Sequence, residues 1–169
     1  MGKQFCFPNF FTSGEECGMK LIAVGRMKDK SEQALVARYL KRLRPKLDIV
    51  ELADGRGSPD EIKRREAQAI LAACPDQAFL VALDEAGRAF DSLAFSAAIA
   101  DWSALGRPLC FVIGGAEGLD ASVILRADAK LTFGTLTWPH MLVRIMLVEQ
   151  IYRAQAIAAG HPYHRAGRP

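Results

Sequence analysis

Five short, largely apolar runs alternate with helical segments along this chain, and the alternation limits the folds that it can adopt. The runs are Lys20–Gly25, Leu47–Leu52, Phe79–Leu83, Leu109–Ile113 and Lys130–Phe133. Strands that are apolar at successive positions are typical of parallel sheets, because helices cover both faces of such sheets. The sequence therefore predicts an α/β fold with a mostly parallel sheet and helices on both faces.

The segments between these runs carry start and stop signals for helices. Ser58–Glu61 (SPDE) is a strong start, because its serine can cap, its proline suits the first turn and its glutamate completes a capping box. Pro45 and Gly160 follow predicted helices as stop signals. The predicted helices cover Ser31–Arg44, Ser58 to about Cys74, Asp91 to Gly106, Asp120 to about Ala127, and Pro139 to about Ala159.

The last predicted helix has almost no polar face. Apolar residues fill most positions between Met141 and Ala158, and the charged residues among them are Arg144, Glu149 and Arg153. A helix that is apolar all round has to be buried all round, whereas one small sheet covers only one of its sides. A second subunit related by a two-fold axis is the economical explanation. The sequence therefore predicts a homodimer, with a core helix inside a single chain as the alternative.

Residues 1–18 differ from the rest of the chain and are expected to be a disordered leader or an alternative start. Their phenylalanines follow no period, and no basic segment precedes a long apolar run, so a signal peptide is not predicted. Residues 19–169 then form one domain, because a chain of this length is too short for two comfortable domains.

Composition excludes several classes of protein. No stretch reaches the roughly 18 uncharged apolar residues of a membrane span, and the four cysteines lack metal-ligand spacing. Free thiols fit a reducing compartment, so we expect a cytoplasmic protein. The net charge of +3 is mild and permits a nucleic-acid partner without requiring one.

A glycine-rich turn follows the fourth predicted strand. Ile113–Gly118 (IGGAEG) places paired glycines at the carboxyl end of that strand, where open α/β sheets bind ligands. Paired glycines let a ligand approach the backbone closely. The spacing is neither that of a dinucleotide fingerprint nor that of a phosphate loop. Taken alone, such a turn is more often structural than functional.

All three histidines, His140, His161 and His164, fall in the last thirty residues and bracket the final helix. Histidine is the side chain most readily poised for proton transfer near neutral pH. The two tail histidines lack carboxylate or cysteine companions, so no metal site is predicted. This part of the chain is therefore the candidate site of acid–base chemistry.

The loop Gly134–Pro139 leads into the final helix. It offers backbone amides and an apolar wall without charge, which suits a neutral planar ring such as adenine. His140 and Arg144 are four residues apart and share one helix face. Taken singly, His140 could be a capping or core residue, and Arg144 an ion-pair partner of Glu149 or Asp120. Together, beside a glycine turn, His140 and Arg144 favour a functional site.

Four ordered motifs together resemble the large-subunit ribosomal RNA methyltransferase H family of SPOUT enzymes. They are Ile113–Gly118, Leu136–Arg144, Glu149–Ala154 and His161–Arg165. The resemblance extends from Met19 to about Arg165. The family usually has proline where this chain has Ala116 and leucine where it has Trp138, and both exchanges are apolar.

The resemblance implies a trefoil knot in the C-terminal half of the α/β domain and S-adenosylmethionine as cofactor. It implies methylation at N3 of a pseudouridine in 23S rRNA, on the assembled ribosome. It also implies a homodimer in which the tail of one subunit completes the other's active site. The residues that it places around the cofactor are Leu83, Gly115, Gly134, Thr135, Leu136, Thr137, Trp138 and Pro139.

The remaining site residues are expected to act on the nucleotide. His140, or the partner's His164, would assist deprotonation of N3, while Arg144 and Arg165 would stabilise the anionic base or a phosphate. Tyr163 would stack on the target base. Two alternatives stay open: a related enzyme that acts on transfer RNA, and a non-catalytic RNA-binding module of the same fold.

Overall fold

The computed structural model describes residues 18–163. In this part of the chain the strands are β1 (Met19–Val24), β2 (Leu47–Leu52), β3 (Phe79–Ala89), β4 (Leu109–Ile113) and β5 (Ala129–Thr132). The helices are α1 (Lys30–Leu40), α2 (Pro59–Ala73), α3 (Ser92–Ala104), α4 (Ala121–Arg126) and α5 (His140–Ala158). The strands form one parallel sheet in the order β2-β1-β4-β3-β5. The predicted α/β class is confirmed.

Alternate residues of the central strands face two different helical layers. Leu21 and Phe111 pack in a cluster with residues of α1, α3 and α5. Ile22 and Val112 pack on the opposite face with residues of α2 and α4. All four side chains are fully buried. Because both faces of the sheet are covered, these strands are continuous apolar runs in the sequence.

Strands β1 and β4 are neighbours at the centre of the sheet, but the chain leaves them towards opposite edges. After β1 it passes to β2 at one edge, and after β4 it passes to β5 at the other. Open α/β sheets bind their ligands at such a switch point, in the crevice at the carboxyl ends of the strands. The topology therefore places the candidate site at the carboxyl ends of β4 and its neighbours.

Three predicted helix starts, at Ser58, Asp91 and Asp120, are confirmed by their capping hydrogen bonds. The amide of Ser58 donates to Glu61 Oε2 at 2.9 Å, and Ser58 Oγ accepts from the Glu61 amide, which completes the capping box. Asp91 caps α3 and Asp120 caps α4, because the side-chain oxygen of each accepts a hydrogen bond from a backbone amide in the first turn.

Helix α1 ends four residues before the predicted end. The prediction extended it to Arg44, whereas the helix stops at Leu40, residues 41 and 42 form a turn, and residues 43 and 44 are irregular. The amide of Arg44 donates to Gln155 Oε1 at 2.9 Å instead of continuing the helix. A tertiary contact from α5 therefore replaces the helical hydrogen bond at this point.

Strand β3 is longer than the apolar run that predicts it. It continues past Leu83 to Ala89, and its register with β5 shifts, so that Leu131 pairs with both Leu83 and Arg88. The extra residues between these two positions bulge from the ladder. Gly87 lies against β5 at this point, and a Cβ there would be 2.5 Å from the Leu131 carbonyl carbon. The close approach of two backbones explains the glycine.

Replacing Gly87 with alanine is expected to lower the free energy of unfolding by about 1–3 kcal/mol, because the methyl group overlaps backbone that cannot move alone. Chemical denaturation measures the change. Gly18→Ala is the matched control, since a Cβ at Gly18 has no neighbour within 4 Å. Equal stability of the two variants would contradict the close packing of β3 on β5.

Helix α5 is covered mainly on one side by its own chain. Arg144, Leu147 and Ile151 are buried, while Leu142 is 41% exposed and Met146 lines an open groove. One chain therefore leaves part of this apolar helix uncovered, as the sequence predicts. The homodimer and the trefoil knot stay predictions, and most of the 1–18 segment lies outside the described residues.

Candidate active site

A cleft of about 520 Å³ opens at the carboxyl ends of β3, β4 and β5, beside the start of α5. The turn after β4 forms one side of it, and the loop between β5 and α5 forms another. Of the eight residues expected around a cofactor, five line this cleft: Leu83, Gly115, Leu136, Thr137 and Trp138. Gly134, Thr135 and Pro139 are not among the lining residues. Gly134 instead lies in a neighbouring groove that shares Trp138 with the cleft.

The glycines of the turn after β4 are required by packing inside the protein. A Cβ at Gly114 would be 2.9 Å from the carbonyl carbon of Gly118. Gly118 closes the turn, because its amide donates a hydrogen bond to the carbonyl oxygen of Gly115 at 3.1 Å. A Cβ at Gly115 would be 2.9 Å from Glu66 Oε2. In the sequence, these paired glycines predict a close approach of a ligand to the backbone. The structure adds a second reason, because their missing side chains leave room for the turn itself and for Glu66.

The opposite wall is an exposed apolar surface. Leu136 is 68% exposed and Trp138 40% exposed, although both are large hydrophobic residues. Thr137 is held there because its hydroxyl donates to Glu85 Oε1 at 2.9 Å. This hydrogen bond ties the loop to β3. The wall therefore presents flat apolar surface at a fixed place in the cleft.

Carboxylates dominate the charge of the cleft. Asp84 and Glu85 follow the apolar run of β3, and Glu117 lies in the turn after β4, whereas Lys63 is the lysine in the lining. The family resemblance predicts Leu83 beside the cofactor, whereas the two acidic residues directly after it were not predicted. Acidic residues at the carboxyl end of a buried strand were the available signal. Such a lining favours a cationic ligand over a bare phosphate.

His140 is the first residue of α5 and lines the cleft. Its Nε2 lies 3.2 Å from the point where a Cβ on Gly25 would stand, and Asp54 Oδ1 lies 3.1 Å from the same point. The imidazole and this carboxylate thus flank Gly25 at the end of β1. Gly25 has a φ of 87°, which also favours glycine there. The predicted histidine is therefore brought to the cleft.

Arg144 has a structural position in the single chain. Its side chain is 1% exposed and pairs with Glu51 at 2.6 Å. Its second terminal nitrogen donates to the carbonyl oxygens of Val24 and Gly25 at 3.0 and 2.9 Å. The ion-pair partner is thus Glu51 and not Glu149 or Asp120, the two alternatives for a structural arginine, and Arg144 is absent from the cleft lining. Burial lowers the pKa of this guanidinium from its ordinary value, and Glu51 opposes that shift.

Tyr163 lies away from the cleft of its own chain. Its hydroxyl donates to Glu149 Oε1 at 2.9 Å, and its ring contacts that of Tyr152 with 4.7 Å between centroids. Glu149 is nine residues beyond His140, or roughly 14 Å along the helix axis. Burial and the neighbouring Tyr39 and Glu149 raise the pKa of Tyr163, so its phenol stays protonated. The other predicted tail residues, His164 and Arg165, lie outside the described residues.

Comparison with known proteins identifies the family. Residues 18–164 match the family described as "Predicted SPOUT methyltransferase". The chain is 65% identical over 151 residues to "Ribosomal RNA large subunit methyltransferase H" of Gluconacetobacter diazotrophicus, covering 89% of this chain and 99% of that protein. The chain belongs to the ribosomal RNA large subunit methyltransferase H family. It is 57% identical to the protein of the same name from Acidiphilium cryptum over 151 residues, covering 89% of this chain and 96% of that protein.

A more distant similarity joins this methyltransferase to a solved structure. The SpoU methyltransferase AviRb from Streptomyces viridochromogenes, in complex with AdoMet, aligns with 88% of this chain and 62% of its own at a TM-score of 0.43 and 15% identity.

Two further findings concern the part of the methyltransferase that the structure describes. No helix between residues 18 and 163 is both long enough and apolar enough to cross a membrane. In the same range, no cluster of three or more His, Cys, Asp or Glu side chains could hold a metal ion.

Proposed function

We propose that this chain transfers a methyl group from S-adenosylmethionine to N3 of a pseudouridine in 23S rRNA, on the assembled ribosome in the cytoplasm. The observation that carries the proposal is 65% identity to a ribosomal RNA large subunit methyltransferase H over nearly its whole length. The acidic and apolar cleft at the switch point of the sheet agrees with it.

The chemistry of the cleft fits S-adenosylmethionine. Its volume of about 520 Å³ is that of an ordinary small-molecule site. Leu136 and Trp138 offer apolar surface to an adenine ring, and the backbone of Gly114–Gly118 offers polar groups without side chains in the way. Asp84 and Glu85 can accept from ribose hydroxyls, and their charge favours a cation. These residues would hold the cofactor.

The bound cofactor supplies an electrophilic methyl group, so the protein's tasks are to orient the acceptor and to take up its proton. His140 lines the cleft at the start of α5 and is placed to accept the N3 proton. The partner's His164 is the alternative base. Arg144 acts as a positioning residue, because it binds the carbonyl oxygens of Val24 and Gly25 beside His140. Arg165 would stabilise the anionic base or a phosphate.

The active site is proposed to be composite, with the tail of one subunit at the cleft of the other. Two observations support it: the outer side of α5 carries exposed Leu142, and Tyr163 lies along α5 at a distance from His140 of its own chain. A two-fold dimer through this side of α5 would bury its apolar residues. It would also bring the partner's Tyr163 near the cleft, where it can stack on the target base.

Complementation between two inactive variants tests the composite site. His140→Ala and Tyr163→Ala subunits, mixed under conditions that exchange subunits, are expected to recover about a quarter of the wild-type rate, because half of the dimers are mixed and each has one intact site. Each variant alone stays inactive. Tyr163→Phe keeps the ring and retains activity. No recovery on mixing, with exchange shown by mass spectrometry, would contradict a shared site.

Methyl transfer to ribosomes from a strain without the endogenous enzyme tests the proposed function. The acceptors are assembled ribosomes, free 23S rRNA and bulk transfer RNA, and the modified nucleotide is mapped by mass spectrometry. We expect transfer to a single pseudouridine in ribosomes and little to the other two. Preferred transfer to transfer RNA would point to the related enzyme class. Binding of RNA without binding of S-adenosylmethionine would point to a non-catalytic module.

A further inference from the structure

Glu66 is a carboxylate buried directly behind the floor of the cleft. It lies in α2 and is 5% exposed. Its Oε1 accepts from the amide of Gly55, in the loop after β2, at 3.0 Å. Both of its oxygens lie within 3.0 Å of the point where a Cβ on Gly115 would stand. Glu66 therefore joins two loops at the carboxyl edge of the sheet, and one of them lines the cleft.

The second oxygen of this carboxylate lacks a hydrogen-bond partner. Glu66 Oε2 is buried, and no donor within residues 18–163 reaches it. No ion pair to Glu66 occurs in that part of the chain either. Burying an uncompensated carboxylate is costly, so such a group in a native fold calls for a functional explanation.

We propose that Glu66 is a specificity-determining residue that makes the cleft prefer the sulfonium form of the cofactor over its neutral thioether product. The inference rests on the proposed function and adds to it a role for a residue outside the cleft lining. Glu66 packs directly against Gly115, which lines the cleft, so its negative charge acts on a cation bound there through little water. The same charge has no such effect on the product, which lacks the sulfonium.

The preference has a consequence for turnover. Methyl transfer breaks the bond between sulfur and the methyl carbon. The electron pair of that bond stays on sulfur, so the sulfonium becomes a thioether without charge at sulfur. The attraction of Glu66 therefore ends when the reaction is complete. Product release is favoured over release of unused cofactor, because only the cofactor carries the sulfonium charge that Glu66 attracts.

Binding measurements on Glu66→Gln test the proposal. The amide has nearly the same shape and its oxygen can still accept from Gly55, so the variant removes the charge at almost constant structure. At an effective dielectric constant near 20, a unit charge within about 10 Å of a bound ion changes its dissociation constant by about tenfold. We expect calorimetry to show that S-adenosylmethionine binds about tenfold more weakly and S-adenosylhomocysteine less than about threefold more weakly.

Asp60→Asn is the matched control, because it removes one exposed carboxylate from the same helix. Its ratio of the two dissociation constants should equal that of the wild type. Glu66→Met, of similar length, is a second neutral variant if the glutamine variant melts early. A folded neutral variant with an unchanged ratio overturns the proposal and leaves the proposed function intact. Failure of the wild type to bind either compound overturns both.

Discussion

Arg144→Ala is expected to lower the free energy of unfolding by about 3 kcal/mol, at the lower end of the range for breaking a buried ion pair. The substitution removes a 1% exposed guanidinium and strands the carbonyl oxygens of Val24 and Gly25. The side chain of Glu51 is 33% exposed, so water can hydrate its charge in the variant. The loss of stability is therefore expected at the lower end of that range. The melting temperature should fall by roughly 6–12 °C.

Thermal and chemical denaturation of Arg144→Ala measure this loss, and Arg153→Ala is the control on the same helix. Arg153 pairs with Glu149 but is 28% exposed, so its removal should cost less than about 1 kcal/mol. The result also separates two roles for Arg144. A variant with unchanged stability and greatly reduced turnover would show that the guanidinium acts on the substrate, contrary to the positioning role assigned here.

The parts of the fold that could be predicted are those with local signals. β2 and β4 begin and end at the predicted residues, because each is a short run rich in apolar residues that is bounded by turns or helix ends. The capping box at Ser58 and Glu61 also involves residues three positions apart. Strand β3 was predicted too short, since its extension beyond Leu83 depends on pairing with β5 rather than on its own apolar pattern.

The contacts that build the site join residues far apart in the sequence. Arg144 and Glu51 are separated by 93 positions, and Glu66 meets Gly115 only because α2 packs behind the turn after β4. Neither pairing has a local signal. The motif that surrounds Arg144 predicts a role on the nucleotide, whereas its guanidinium is buried against Val24, Gly25 and Glu51. Its spacing to His140 placed both on one helix face, and the fold then directed one side chain to the cleft and the other to β1.

His140→Ala is expected to reduce the rate of methyl transfer to ribosomes by about 10²–10⁴-fold, which is the usual contribution of a positioned general base. The imidazole lines the cleft at the start of α5. It is half-buried rather than part of the core, so its loss should leave the melting temperature nearly unchanged. Single-turnover kinetics with saturating cofactor isolates the chemical step from binding and product release.

The control for His140 is His161→Asn, a change at an exposed histidine whose Nδ1 accepts from the Tyr163 amide at 3.1 Å. Asparagine retains an acceptor for that amide, so the tail keeps its turn and activity should fall by less than about tenfold. Because the partner's His164 is the alternative base, His164→Ala is measured in parallel. If His140→Ala retains near-normal single-turnover rates and His164→Ala does not, the base belongs to the tail and the cleft histidine only shapes the pocket. If both retain them, proton removal needs neither histidine, and solvent or the rRNA itself accepts the N3 proton.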